Sequence, residues 1–429
     1  MNRSANPYFD ILPRILRAGQ TNTITIRPRF DHVRFSDGNN YQLTLQPLDG
    51  PASQAQTLNL EARQGVVSFQ AAFPLEGEYV LLLNSNLSER ERGFARFHLY
   101  ALDSDLFQRR PYKGDIHMHS HYSDGFEAPA YVAACCRRTG LDFMAITDHA
   151  RYAPSLEAMA AYSGKPIDLR IFPGEEVHSP DNPTHIVNFG GEFSVNGLFD
   201  SESYRNEVRM LVGQLPPLNA GVDRKAYASC LWTFDKIRQA GGLGVFCHPY
   251  WVSINRFDNP AALTELLLQL QPFDALELIG GFFPFESESN HLQVTRYHEA
   301  RVRGKRIPIV GVSDAHGCER GELFGWYYTI VFSPSLELPD LIQSIKDLFS
   351  VAVEAMPNQP MRAHGPFRLV RYAQFLLREI FPQVRELYAE EGRLMLAHLA
   401  GDEQAMPSLQ RYQGRAQTSM ENLFSKQGR

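Results

Sequence analysis

Gly114-Asp115-Ile116-His117-Met118-His119-Ser120-His121-Tyr122-Ser123-Asp124-Gly125 runs from a short strand directly into a cluster of histidines and an aspartate. A strand that closes in His-x-His has a specific geometry: residues i and i+2 point to the same side, so both imidazoles can reach one ion. Downstream the arrangement recurs with other residues. The apolar segment 143–147 leads into Asp148-His149, and 169–172 leads into Gly174-Glu175-Glu176. His185 opens the next strand, 185–189; 244–247 ends at His248-Pro249, and 308–312 ends at Ser313-Asp314-Ala315-His316. A further apolar strand is expected at 275–279, and helical periodicity fills 129–139, 231–240, 261–270 and 290–303. Strands alternating with amphipathic helices predict βαβ units and a largely parallel sheet or barrel, an α/β fold. In such a barrel the C-terminal strand ends gather on one face, so ligands far apart in sequence converge there.

Taken singly, each histidine would be read as a surface or satisfied residue. The chain has 14 histidines, and independent placement would not set His117, His119, His149, His185, His248 and His316 at or beside strand termini. Imidazoles mixed with carboxylates suit Zn, Mn or Fe rather than Ca or Mg, and carboxylates bridge ions held roughly 3.5–4 Å apart.

The 429 residues exceed one compact unit. Residues 15–103 alternate apolar and polar with period two, as in Thr23-Ile24-Thr25-Ile26-Arg27 and Tyr41-Gln42-Leu43-Thr44-Leu45, with turn signals such as Asp37-Gly38 between them. This predicts an antiparallel, Ig-like β-sandwich over 1–105. The pattern changes at Pro111, giving a barrel over 106–355. A helical extension over 356–429 follows, with a helix from 367 to 400 interrupted at Pro382 and a loosely ordered last stretch of about 20 residues. A lid, an oligomer contact and a brace are all compatible with that extension, so homo-oligomerisation stays open. A net charge of −6 argues against a dedicated nucleic-acid binder. No apolar run approaches a membrane span, the N-terminus resembles no secretory or transit signal, and five cysteines form no disulfide framework. The expectation is a cytoplasmic protein with a small-molecule substrate.

At these motifs the sequence resembles the PHP (polymerase and histidinol phosphatase) family: 117–125, Ile146-Thr147-Asp148-His149, His248-Pro249 and Ser313-Asp314-Ala315-His316-Gly317. Pro173-Gly174-Glu175-Glu176-Val177 and His185-Ile186-Val187 are similar to two intermediate segments of that family. The resemblance spans about 112–333. It implies a distorted (β/α)7 TIM-like barrel and nine ligands: His117, His119, Asp124, His149, Glu176, His185, His248, Asp314 and His316. It also implies two or three divalent ions and, as catalyst, a metal-bound hydroxide. Glu176 is chosen over Glu175 as the Gly-x-Glu position. His178 and His121 stand as substitutes or outer residues, and Asp148 as a residue that orients a neighbour. The sandwich-then-barrel order resembles the carbaryl-hydrolase-like group of bacterial PHP proteins, which includes carbamate as well as phosphate ester hydrolysis.

Several residues carry less weight. Arg151 and Arg320 are candidate phosphate clamps, and Arg224, Lys225 and Tyr250-Trp251 are candidate rim residues. Cys247 and Cys318 match no zinc pattern, while Cys135 and Cys136 read as packing residues in a helix. His32 and His98 read as structural, with no carboxylate at a suggestive spacing. Gly241-Gly242-Leu243-Gly244 is a turn without the phosphate-loop lysine, and Ser120 and Ser123 need not be nucleophiles. The expected function is a metal-dependent phosphoesterase acting on a small phosphorylated metabolite or nucleotide. The alternatives are a carboxylic ester, carbamate or amide hydrolase and a non-enzymatic metal-dependent binding or scaffold module.

Overall fold

The computed structural model describes residues 7–84, 94–253, 255–319 and 324–425. The chain divides into two compact units: Met1–Arg110 with Val370–Leu387 and Gly414–Arg429, and Pro111–Leu369 with Tyr388–Gln413. The C-terminal helices are thus distributed between the two.

In the first unit, period-two alternation builds two sheets. One orders Phe9–Leu12, Thr21–Pro28 and Val67–Ala72; the other orders Ile15–Arg17, Phe94–Leu102, Gly77–Asn84, Asn40–Pro47 and Gln56–Glu61. Ile24, Ile26, Leu43, Leu45, Val67, Phe69, Leu81 and Leu83 point inward to a shared core, as alternating faces of a sandwich require. The pairing of Ile15–Arg17 with Tyr100–Leu102 is parallel. His98, expected to be structural, has a carboxylate partner in space: its Nδ1 lies 2.6 Å from Glu78 Oε1, and Arg378 pairs with the same carboxylate. The two residues sit on adjacent paired strands, a proximity that linear spacing hides.

The helix from Phe367 does not break at Pro382. Leu376–Ile380 widens into a π turn, with Phe381 N–H donating to Leu376 O, and the helix runs on to Leu399. One widened turn absorbs the ring that would otherwise clash in the preceding turn. The terminal stretch is also better ordered than expected. Arg415–Glu421 is helical, and Leu423 O accepts N–H bonds from Arg14 and Ile15 at 2.7 and 2.8 Å.

The second unit is a mixed α/β structure with strongly curved sheets. One orders Arg170–Phe172, Phe143–Ala145, Arg110–Asp115, Tyr327–Ser333, Ser350–Glu354 and Arg362–His364; the other orders Gly174–His178, His185–Phe189, Leu243–Phe246, Ala275–Ile279 and Ile309–Gly311. Short parallel bridges, Met118 with Ala315 and His149 with Glu176, link the two at the ends where the motif residues lie. Alternate strand residues are buried on opposite faces. Val187, Val245, Ala275 and Val310 belong to one core, while Ile186, Phe246, Leu276 and Ile309 pack with residues of helices Glu202–Gln214, Arg224–Gln239 and Ala261–Leu270. Burial on both faces is why these strands read as nearly continuous apolar runs.

The expected largely parallel order needs correction in two places: Ser350–Glu354 runs antiparallel to both Tyr327–Ser333 and Arg362–His364, and a second reversal lies nearer the motifs. His185–Phe189 runs antiparallel to both Gly174–His178 and Leu243–Phe246. The turn between the first two is held locally, Asp181 N–H donating to Ser179 Oγ and Thr184 N–H to Asn182 Oδ1. Reversal is what brings His185, the first residue of its strand, to the end where the other strands finish. Among the described residues no helix is long and apolar enough to cross a membrane.

Candidate metal centre

Glu176 is the hub. It is fully buried, and six imidazoles surround its carboxylate. Oε1 lies 2.8 Å from His185 Nδ1, 3.5 Å from His117 Nε2 and 3.6 Å from His248 Nε2. Oε2 lies 2.5 Å from His149 Nδ1, 3.5 Å from His178 Nε2 and 3.6 Å from His119 Nε2. Asp314 forms a second bridge, its Oδ1 2.7 Å from His119 Nε2 and 3.2 Å from His117 Nε2. Asp124, half exposed, joins His149 and His316 with Oδ2 at 3.2 and 3.3 Å from their Nε2 atoms.

Donor atoms therefore gather into overlapping sets: His119, Asp124, His149 and His316; His149, Glu176, His178 and His185; His117, Glu176 and His248; and His117, His119 and Asp314. All nine residues singled out by the resemblance fall in these sets, and His178 is an additional member. Both Glu176 oxygens, His117 Nε2, His185 Nδ1 and both ring nitrogens of His248 are buried without a hydrogen-bond partner. Leaving so many buried polar atoms unpaired costs about 1–3 kcal/mol each. Nitrogen and carboxylate donors in shared sets fit divalent metal ions, which would satisfy those atoms together.

The backbone is bent to serve this arrangement. Asp314 and His248 adopt φ of +47° and +20°, conformations that cost non-glycine residues roughly 1–3 kcal/mol and persist where surroundings enforce them. Asp314 N–H donates to His117 O and His119 N–H to Ala315 O, locking the first and last motifs together. Gly125 lies against the His119 backbone; a Cβ there would come within 2.6 Å of the His119 carbonyl, so only glycine lets the loop return Asp124 to the cluster.

Outer residues set the imidazole tautomers. Glu277 Oε2 lies 3.0 Å from His117 Nδ1, so a proton held there leaves Nε2 facing Glu176 and Asp314. His316 Nδ1 lies 2.8 Å from Asp314 O, which turns its Nε2 toward Asp124. Asp148 accepts from Ser120 N–H and from the Ser120 and Ser123 hydroxyls, an orienting geometry for the loop after His119. Glu175 is spent elsewhere, accepting from Asn188, Ser194, Asn196 and Val195 N–H.

Sequence reading missed Glu277, a lone acid within the apolar strand Ala275–Ile279. Its one signal was that isolation, because a fully buried carboxylate needs a partner. Cys247 also lies beside His117 and Glu277, and burial pushes its thiol up. Other candidates fall outside the cluster. His121 stacks on Tyr122 with ring centroids 4.4 Å apart; Lys225 pairs with Asp181 at 2.5 Å; Arg224 donates to carbonyls of Val212, Leu215 and Pro216. Cys318 N–H donates to Glu127. Arg151 is exposed at the end of the Thr147–His149 segment, and Arg320 lies outside the described residues.

Without cations the site resolves its charges by holding protons. Burial alone would lower the His149 pKa, but Asp124 and Glu176 raise it to about 10. His248 rises to about 9, burial again being outweighed by Glu277, Glu176 and Asp314. Burial opposes ionisation of Glu176, yet His185 and His117 hold its carboxyl well below the usual range.

No family model matches the chain. Over 62 residues it is 37% identical to the DNA polymerase/3′-5′ exonuclease PolX of Bacillus subtilis, a stretch that makes up 14% of this chain and only 11% of PolX. Among solved structures it is similar to a two-domain Bacteroides vulgatus protein described as containing a predicted PHP-like metal-dependent phosphoesterase. That match has 17% identity and a TM-score of 0.42, covering 63% of this chain and 71% of the other. A Chromobacterium violaceum amidohydrolase with bound sulfate is similar at 19% identity and a TM-score of 0.32, covering 49% of this chain and 89% of that one.

Proposed function

We propose that the second unit is a PHP-type metal-dependent hydrolase built on a distorted seven-stranded barrel, and that it acts as a phosphoesterase on a small phosphorylated metabolite or nucleotide. The observation that carries this reading is the hub itself: Glu176 ringed by six imidazoles, with its oxygens and several ring nitrogens lacking hydrogen bonds. Divalent ions held by these residues would supply Lewis acidity for the bond under attack. The ligands are His117, His119, Asp124, His149, Glu176, His185, His248, Asp314 and His316. Glu277 holds His117 in the tautomer that faces inward, and Asp148 fixes the loop that carries Asp124. Asp124, the most exposed ligand, marks where substrate enters. Arg151 and Arg320 are the candidate clamps for a phosphate.

A second reading, hydrolysis of a carboxylic ester, carbamate or amide by the same cluster, is favoured by the aromatic rings beside it: Trp251 stacks on His248 and Phe282 lies against His316, with centroids 4.3 and 4.1 Å apart. Activity of the full chain against phosphate esters, carboxylic esters and carbamates, each with Mn, Zn and Fe, separates the two. Turnover of phosphate esters at least tenfold above the others is expected. Turnover of acyl substrates alone would establish the second reading, and no metal-dependent turnover of any class would overturn both.

A further inference from the structure

One wall of the cluster is aromatic, and the turn that presents it is fixed where the next helix is capped, Glu286 accepting from the Phe283 N–H. Beyond Trp251 and Phe282 the rings continue outward: Phe282 to Phe283 at 4.7 Å, then Phe283 to Phe285 at 5.3 Å in a stacked arrangement. Phe283 and Phe285 are 41% and 73% exposed, although rings of this size bury 150–250 Å² when packed. The loop that presents them is pinned. Asn290 accepts from Gly280 N–H at 3.0 Å and donates to Gly280 O at 2.8 Å. Glu286, buried, accepts N–H bonds from Phe282 at 2.7 Å and Phe283 at 2.9 Å. Gly281, at φ +132°, leaves room that a Cβ would lose to Glu286 Oε2, 2.3 Å away. Gly281 N–H also donates to Ser313 O, one residue before Asp314. On the other side, Ser289 donates to Tyr250 O beside Trp251.

Phe283 and Phe285 extend, in unbroken ring-to-ring contact through Phe282 and Trp251, a wall that begins at the imidazoles of His248 and His316. Resting on the hydrolase reading, we infer that Trp251, Phe282, Phe283 and Phe285 form a substrate subsite for a planar aromatic ring attached directly to the group being hydrolysed. Contact of Trp251 and Phe282 with ligand imidazoles sets the distance. A ring that stacks there sits within a bond or two of the reacting centre, so an aryl substituent fits better than a base carried on a sugar. The polar cluster takes the charged end and the rings take the flat apolar end, the usual division of labour in a small-molecule site.

The test is calorimetric titration of the metal-loaded full chain with phenylphosphonate and methylphosphonate, which need no turnover. Phenylphosphonate is expected to bind about tenfold more tightly or better. Replacing Phe283 and Phe285 together by alanine should lower that preference at least about threefold, with metal content and methylphosphonate affinity unchanged; Phe282→Leu should lower it further. Equal affinities in the wild type, an undiminished preference in the double variant, or no binding of either would overturn the subsite. A nucleoside 5′-phosphonate binding more tightly than phenylphosphonate would overturn direct attachment. The two readings fail separately: an intact phenyl preference without ester turnover removes the hydrolase alone, and turnover without the preference removes the subsite alone.

Discussion

Both units bury histidine against carboxylate, yet they do so in opposite ways. In the first, His98 meets Glu78 at 2.6 Å and Arg378 completes the pairing. One anion has two partners, and His98 and Arg378 hold the Glu78 carboxyl below its usual range against the effect of burial. In the second, Glu176 is shared among six imidazoles, His149 and His185 coming within 2.5 and 2.8 Å of its two oxygens. The first is a closed ion pair, and the second is one carboxylate shared among more ring nitrogens than it can pair. A buried His–carboxylate contact is therefore no sign of a metal site; a carboxylate common to many imidazoles is.

That contrast can be broken most decisively at Asp314. Asp314→Ala is expected to lower turnover by roughly three orders of magnitude or more, while a full set of metal ions and full activity in that variant would end the metal mechanism. Glu78→Gln should do the reverse, costing about 1–2 kcal/mol of stability by weakening the contacts to His98 and Arg378, which keeps Glu379 as a partner, read as a lower denaturation midpoint, with metal content per folded chain unchanged. Loss of metal in Glu78→Gln would show that the two units do not differ as argued.

Smaller effects sharpen the comparison. Glu277→Gln should weaken metal affinity about 10–100-fold, measured by competition with a chelator; an unchanged affinity would make Glu277 a packing residue. Because the metal-free site raises His149 to about 10 and His248 to about 9, both rings hold protons at neutral pH, and binding must expel them. Apparent affinity is thus expected to rise with pH through the neutral range, by about tenfold per pH unit for each proton displaced, with proton release visible in weakly buffered titrations. A pH-independent affinity would contradict it. Smallest of all, Ser120→Ala and Cys318→Ala should change turnover by less than about tenfold, and a larger loss would reopen a nucleophile at Ser120 or Cys318.

The residues that converge were legible because their signal is local: a strand period of two fixes the side His117 and His119 share, and a strand terminus fixes the face. The helices Pro129–Thr139 and Ala261–Leu270 were legible for the same reason, each being one amphipathic stretch between breakers. What escaped depends on partners distant in sequence. Glu277 is intelligible only once His117 stands beside it. The π turn before Pro382 and the pairing of Phe424 with Ile15 are tertiary accommodations that propensity cannot foresee. The aromatic loop Phe282–Phe285 has no period at all, so its approach to His316 emerges only in the fold.

The reversed strand has a consequence for how the molecule comes to be. Glu176, His178 and His185 lie on the two arms of a single hairpin, Gly174–His178 and His185–Phe189. Hairpins close in about 1–10 μs, whereas joining the first motif to the last requires the chain to return across almost 200 residues. The bridging glutamate and two of its histidines can thus be brought together as a preassembled kernel before the two sheets are joined. Substitutions at Val177 or Ile186 should then slow folding, while changes at Val312 should mainly speed unfolding. Refolding and unfolding rates of those variants would give the order in which the centre is built.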